Sequence, residues 1–303
     1  KILITGYSGQ LGKAFKEVAG EDFEIVVPNK KQLNLSNFNK CFSYVEDNKP
    51  DILLNFAAYT NVDEAEGNSK YAYAVNAEAP KAFSMALKNT GGNLLQISTD
   101  YVFDGKQNIP YSIYQKPNPI NLYGKSKLKG EKFINEIIGD NKQSIILRTS
   151  WLMSPFGNNF AMKMLKLHKC KNEIAVVADQ VGTPTNAHEL AKVCLLLIKN
   201  WSKLKEDKSW ENNILHWSDQ GIASWYDVAF FVGEIATSLG LIDKPALVKP
   251  VKSSQFKTLA KRPNFSVLDC FESRRILKYE SIHWKEGIFN LIKSIHEKNL
   301  QLN

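Results

Sequence analysis

Short apolar runs alternate along the chain with longer stretches whose apolar residues recur every three or four positions. Residues 2–5, 23–27, 52–56, 93–97 and 144–147 have the length and aliphatic content of buried strands. Between them, residues 11–18, 36–48, 70–89 and 126–138 carry the spacing of amphipathic helices. Gly91-Gly92 sits where a helix C-terminus calls for glycine, just before the fourth strand. Strand–helix alternation of this kind predicts an α/β fold, a Rossmann-type doubly wound parallel sheet with helices on both faces and right-handed crossovers. Ligands then bind at the carboxyl ends of the strands, near the point where strand order reverses.

After Thr149 the pattern changes. Residues 151–171 bring Trp, Pro, Gly and Asn ahead of a short helix, 174–178 read as a strand and 188–199 as a helix. Residues 203–213 are charged and loop-like, and helices are expected around 225–239 and 284–299, with a proline-punctuated link over 245–263. The expected organisation is a dinucleotide-binding domain from residues 1–150 and about 174–218. A smaller, discontinuous α+β lobe, about 151–173 and 219–303, caps the sheet's carboxyl edge. There are no internal repeats and no low-complexity tract.

Composition narrows the partners. With 303 residues, 44% hydrophobic and 23% charged, the chain is ordinary for a globular protein. No window approaches the roughly 20 apolar residues that span a bilayer, and the first residues read as a strand instead of a charged leader, so a cytoplasmic protein is expected. The four cysteines form no C-x-x-C pair and are expected as reduced thiols. The net charge of +8 either steers an anionic substrate or keeps a lysine-rich surface soluble. Its lysines are spread out and not interleaved with aromatics, which argues against a nucleic-acid groove.

The first predicted strand runs into Gly6, Gly9 and Gly12, a G-x-x-G-x-x-G turn opening a helix. A backbone can approach a pyrophosphate closely only where side chains are absent, and the helix N-terminus adds favourable partial charge. Gln10 and Leu11 belong to the same turn. After the second strand, a carboxylate would grip the ribose hydroxyls of NAD and repel a 2′-phosphate. Asn29, Lys30 and Lys31 stand there instead, so NADPH is expected to be accepted and preferred over NADH. Asn34 and Leu35 can flank the adenine. Ala57 and Ala58, with Tyr59 after the third strand, either let the dinucleotide lie flat or simply pack in the core.

Ser98-Thr99-Asp100 ends the fourth strand, and Tyr123-x-x-x-Lys127 follows. Reducing a ketone needs a hydride for carbon and a proton for the developing alkoxide. On a helix Tyr123 and Lys127 share one face a turn apart. A neighbouring ammonium is expected to lower the phenol's pKa, and Thr99 can bond the substrate carbonyl. The five histidines have no ligand spacing, and no metal is assigned.

At these residues the chain resembles the extended short-chain dehydrogenase/reductases, and within them the dTDP-4-dehydrorhamnose reductases. The matching segments lie at residues 4–12, 55–63, 98–105, 123–127, 147–151 and 179–185, and continue through 225–227 and 261–263. The resemblance implies NADPH-dependent reduction of the 4-keto group of dTDP-4-dehydro-L-rhamnose to dTDP-L-rhamnose, a step in cell-surface polysaccharide synthesis. Thr99, Tyr123 and Lys127 would be the catalytic trio, and Asp100 would contact the sugar or orient the trio. Trp151 would pack on the deoxysugar ring, with Asn159, Phe160 and Arg262 on the nucleotide side. Tyr101 stands where sugar-nucleotide dehydratases place a glutamate, which favours reduction over elimination. A reductase or epimerase of another nucleotide deoxysugar, or a non-catalytic NADP-binding regulatory subunit, are the other readings. Some relatives share magnesium between subunits through carboxylates. Glu189 could supply one ligand, but Lys13-Ala14-Phe15 offers none, so monomer and homodimer both stand.

Overall fold

The computed structural model describes residues 1–140, 142–207 and 212–298. Its spine is a six-stranded parallel sheet. The first five strands are β1 (Ile2–Thr5), β2 (Ile25–Val26), β3 (Ile52–Asn55), β4 (Asn93–Thr99) and β5 (Ser144–Thr149). The sheet order is Ile214–Trp217, β5, β4, β3, β1, β2. Successive side chains of a strand face opposite ways. Ile2, Ile4, Leu54, Leu95 and Leu147 therefore join one core with helices α1 (Gln10–Ala19) and Ala187–Lys199. Leu3, Leu53, Leu94 and Ile146 join the other, against α2 (Phe38–Asn48) and α3 (Ala79–Thr90). The doubly wound α/β architecture expected from the sequence is present, and strand order reverses between β1 and β3.

The stretch expected as one helix over 70–89 is broken. Helices Val62–Gly67 and Ser69–Tyr73 lead into a π-turn at Ala74–Glu78 before α3 begins. Pro80 lacks the N–H that would bond the carbonyl of residue 76. Gly130 approaches that carbonyl so closely that a Cβ there would lie 2.3 Å from it. Helix α4 (Leu122–Ile134) starts four residues before the expected 126, because the Asn121 side chain caps it by accepting from the Gly124 N–H at 2.8 Å.

Beyond β5 lies the second lobe. Its core joins α5 (Phe160–Cys170), α6 (Trp225–Ser238) and α7 (Trp284–Glu297) to a two-stranded parallel sheet of Glu173–Val177 with Leu247–Val251. This corrects the expected return to the large sheet at residue 174: Ile174 and Val176 pack in the lobe, and the chain rejoins the first layer at Ala187–Lys199. The expected loop at 203–213 is partly helical, Trp201–Glu206, and its residues 208–211 lie outside the described residues. Residue 299, the expected end of α7, does too. A further helix, Phe271–Leu277, went unread in the sequence. All four cysteines are free thiols. Among the described residues no helix is long and apolar enough to cross a membrane.

Candidate active site

The glycine turn sits at the β1–β3 switch point. Gly6 has φ +69°, and a Cβ on it would lie 2.6 Å from the Ala57 nitrogen; a Cβ on Gly12 would strike Tyr7 backbone at 2.4 Å. Only glycine allows this turn to close against the chain leaving β3. Gly9 is the N-cap of α1 and gives it no side-chain oxygen, and the first turn carries no acid. The result is a side-chain-free helix N-terminus that suits a pyrophosphate.

The outer cofactor candidates are placed differently. Asn29 Oδ1 accepts from the backbone N–H groups of Lys31 (2.9 Å) and Gln32 (3.1 Å), holding an exposed turn with Lys30 at its tip. Asn34 is exposed and bonds the Ser36 N–H and hydroxyl, while Leu35 packs on the core. The segment after β3, Ala57 to Tyr59, is held at Tyr59 by a residue the sequence did not single out, Asn76. Its side chain accepts from the Tyr59 N–H at 2.9 Å, donates to the Tyr59 carbonyl at 3.0 Å and donates to Ser126 Oγ at 3.0 Å. Ser126 in turn donates to the Tyr123 carbonyl at 2.7 Å.

Thr99, Asp100, Tyr123 and Lys127 converge at the carboxyl end of β4. The Thr99 hydroxyl donates to Asp100 Oδ1 at 3.0 Å and hydrogen-bonds the Tyr123 phenol. Asp100 is buried and its Oδ2 has no partner; burial pushes its carboxyl up to about 7, against the hydroxyls of Ser266 and Thr99. Lys127 Nζ donates to the Ile97 carbonyl at 2.7 Å. Burial pulls its ammonium down to about 8, with the Glu131 charge opposing.

The phenol departs from expectation. Burial pushes Tyr123 up to about 12; the Thr99 hydrogen bond works the other way and the Asp100 charge adds to the rise. Desolvation of the phenolate outweighs any help from the ammonium, which is engaged at Ile97. A phenol in this state is protonated at neutral pH, the form a proton donor needs.

Next to Tyr123, the Tyr101 ring meets it edge-on at 5.8 Å. Arg262 hydrogen-bonds the Tyr101 phenol and forks onto Asp63, Nη2 to Oδ2 at 2.6 Å and Nη1 to Oδ1 at 3.2 Å. That guanidinium holds Asp63 below the usual carboxylate range. Arg262 lines a cavity of about 810 Å³ between the two lobes, along with Phe160, Lys163, Trp225, Phe256 and Lys257. Its charge is therefore already matched by Asp63.

Trp151, strained at φ +44°, stacks flat on Trp225 with centroids 3.5 Å apart, and Gly182 gives its edge room. One ring face is thus taken by protein. Asn159 caps α5 by accepting from the Met162 N–H at 3.1 Å, and its amide donates to Gln10 Oε1 at 2.9 Å and the Ser154 carbonyl at 2.8 Å. Its polar atoms are spent on the protein, and so is the Gln10 oxygen. Glu189, the carboxylate considered for magnesium, bonds Lys192 Nζ at 2.7 Å and the Tyr279 hydroxyl at 2.8 Å, and residue 15 is a buried phenylalanine.

The family model described as RmlD substrate binding domain matches residues 1–297. A dTDP-4-dehydrorhamnose reductase from Aggregatibacter actinomycetemcomitans is 33% identical over 293 residues, 96% of this chain and 98% of that protein. The crystal structure of a dTDP-4-dehydrorhamnose reductase from Clostridium acetobutylicum superposes with a TM-score of 0.86 at 35% identity, covering 97% of this chain and 99% of that one. One from Bacillus anthracis, solved in complex with NADP, gives 0.85 at 34% identity, covering 97% and 98%. With the family model matched over residues 1–297 and relatives above 30% identity over nearly their whole length, the chain belongs to the dTDP-4-dehydrorhamnose reductase family.

Proposed function

We propose that this protein reduces the 4-keto group of dTDP-4-dehydro-6-deoxy-L-mannose to give dTDP-L-rhamnose. The observation that carries the reading is the convergence of the half-buried Tyr123 phenol with Thr99 at the carboxyl end of β4, with Lys127 one helical turn away and held at the Ile97 carbonyl. NADPH, when bound, supplies the hydride. Gly6, Gly9, Gly12 and the first turn of α1 would hold its pyrophosphate, and Asn29 and Lys30 would meet its 2′-phosphate. Lys127 would hold the nicotinamide ribose hydroxyls. Thr99 orients the substrate carbonyl, and Tyr123 donates its proton to the oxygen as negative charge develops there. An alkoxide is more basic than a phenolate, so the transfer runs downhill even from a phenol at about 12. The aromatic and lysine-rich cavity beside the site suits a nucleotide diphosphate. The protein works in the cytoplasm, without nucleic-acid or membrane partners.

The test is NADPH oxidation against a panel of dTDP-, UDP- and GDP-linked 4-keto sugars, with product stereochemistry read by NMR. Stoichiometric NADPH consumption with the dTDP sugar and a lower Michaelis constant for NADPH than for NADH are expected. Tightly held NAD and no net consumption would make it an epimerase instead.

The pH dependence follows from the two titrating groups. Reduction needs Tyr123 protonated and Lys127 charged. Tyr123 keeps its proton up to about pH 12, whereas Lys127 loses its own near pH 8. Thus kcat/KM, which reports the free enzyme, should fall as pH rises through about 8. A profile flat to pH 10 would contradict this assignment.

A further inference from the structure

Three polar side chains lie in one row across the middle of the sheet. Thr5, Asn55 and Gln96 are register partners on β1, β3 and β4, and all are buried. Aliphatic residues fill the neighbouring positions of these strands, and a polar group here costs stability unless it is satisfied. Each is. Thr5 Oγ1 donates to Asn55 Oδ1 at 2.6 Å, Asn55 Nδ2 donates to Gln96 Oε1 at 2.7 Å, and Gln96 Nε2 donates to the Ile97 carbonyl at 2.7 Å. That carbonyl is the one that accepts Lys127 Nζ at 2.7 Å. At the other end, Thr5 precedes Gly6, and its Oγ1 accepts from the Ala57 N–H at 3.4 Å.

The row therefore joins the cofactor turn to the acceptor of the active-site lysine. All donors point the same way, so each bond polarises the next. β3 pairs with β4 only as far as Gln96, so an amide side chain, not a strand, steadies the Ile97 carbonyl on that side.

We propose that Gln96 is a positioning residue for Lys127: through the Thr5–Asn55–Gln96 row it fixes the Ile97 carbonyl, and with it the direction in which the ammonium presents its remaining hydrogens to the cofactor. This rests on the reductase reading for the role of Lys127. An inert core polar group would act independently of that lysine.

The experiment is a double-mutant cycle read by NADPH binding to the full chain without sugar. Gln96→Met keeps the volume and removes the amide. It should weaken NADPH binding about fivefold in the native background and by less than about 1.5-fold in the Lys127→Ala background. Equal losses in both backgrounds, or none in the first, would overturn the proposal. Should Gln96→Met not fold, Thr5→Val removes the first donor of the row and is judged in the same cycle by the same pattern. Wild-type protein that binds NADPH but reduces no 4-keto sugar would defeat the functional reading while the cycle still decides the role of Gln96.

Discussion

Tyr123→Phe lowers kcat by about 10²- to 10⁴-fold and leaves NADPH binding nearly unchanged. The substitution removes one oxygen from a ring whose other contacts, including the edge-on packing against Tyr101, persist. The change leaves Thr99 in place, so the carbonyl keeps its orienting hydroxyl but has no proton donor. Stopped-flow measurement of NADPH oxidation at saturating sugar checks the prediction. A variant within tenfold of wild type would assign the proton to another group, and Asp100, half-protonated near neutrality, would be the next to test. A non-catalytic regulatory subunit would show no turnover in either form.

The largest loss of stability is expected at Arg148. This side chain is 1% exposed and forks onto Glu131, Nη2 to Oε2 at 2.6 Å and Nε to Oε1 at 3.0 Å, while Ser98 donates to the same carboxylate. Arg148→Met keeps most of the stem's packing and leaves Glu131 charged and partnered by one hydroxyl. Breaking such a pair from one side costs about 3–5 kcal/mol, read as a lowered midpoint in urea. The double change Glu131→Leu with Arg148→Met removes both charges and should recover most of that loss. If the double variant is the less stable one, the pair is a net stabiliser in its own right. Glu131 also opposes the burial that depresses Lys127, so the double variant should lose activity at lower pH than wild type.

Much of this was legible before any coordinates. β1, β3, β4 and β5 are largely buried on both faces and so read as short apolar runs, interrupted in β4 by Gln96, and glycine spacing marked the turn because only that residue fits beside Ala57 and Tyr7. What escaped the sequence depended on contacts between distant segments. The break at Ala74–Glu78 hides inside continuous helical periodicity, although Pro80 was a usable sign, and with it the role of Asn76 was hidden. Asn159 and Arg262 carry chemistry that suits a nucleotide; that one also caps a helix and the other also answers Asp63 emerges only in three dimensions. The phenol's direction was misjudged because a sequence shows neighbouring charges but not desolvation. Two-residue pairings such as Leu152–Met153 with Thr185–Asn186 are too short to leave any periodicity.

The Gln10 oxygen receives hydrogens from both Ser154 and Asn159. The helix that opens the dinucleotide turn and the helix that opens the second lobe are thereby pinned together at their first turns. At another rim of the cleft Arg262 reaches across to Asp63, whose carboxylate also takes the Ala260 N–H, and a cleft that gapes there has to break both contacts. Sugar nucleotide would then enter and leave past that ion pair, so added salt, by loosening it, should hasten product departure more than it alters cofactor exchange.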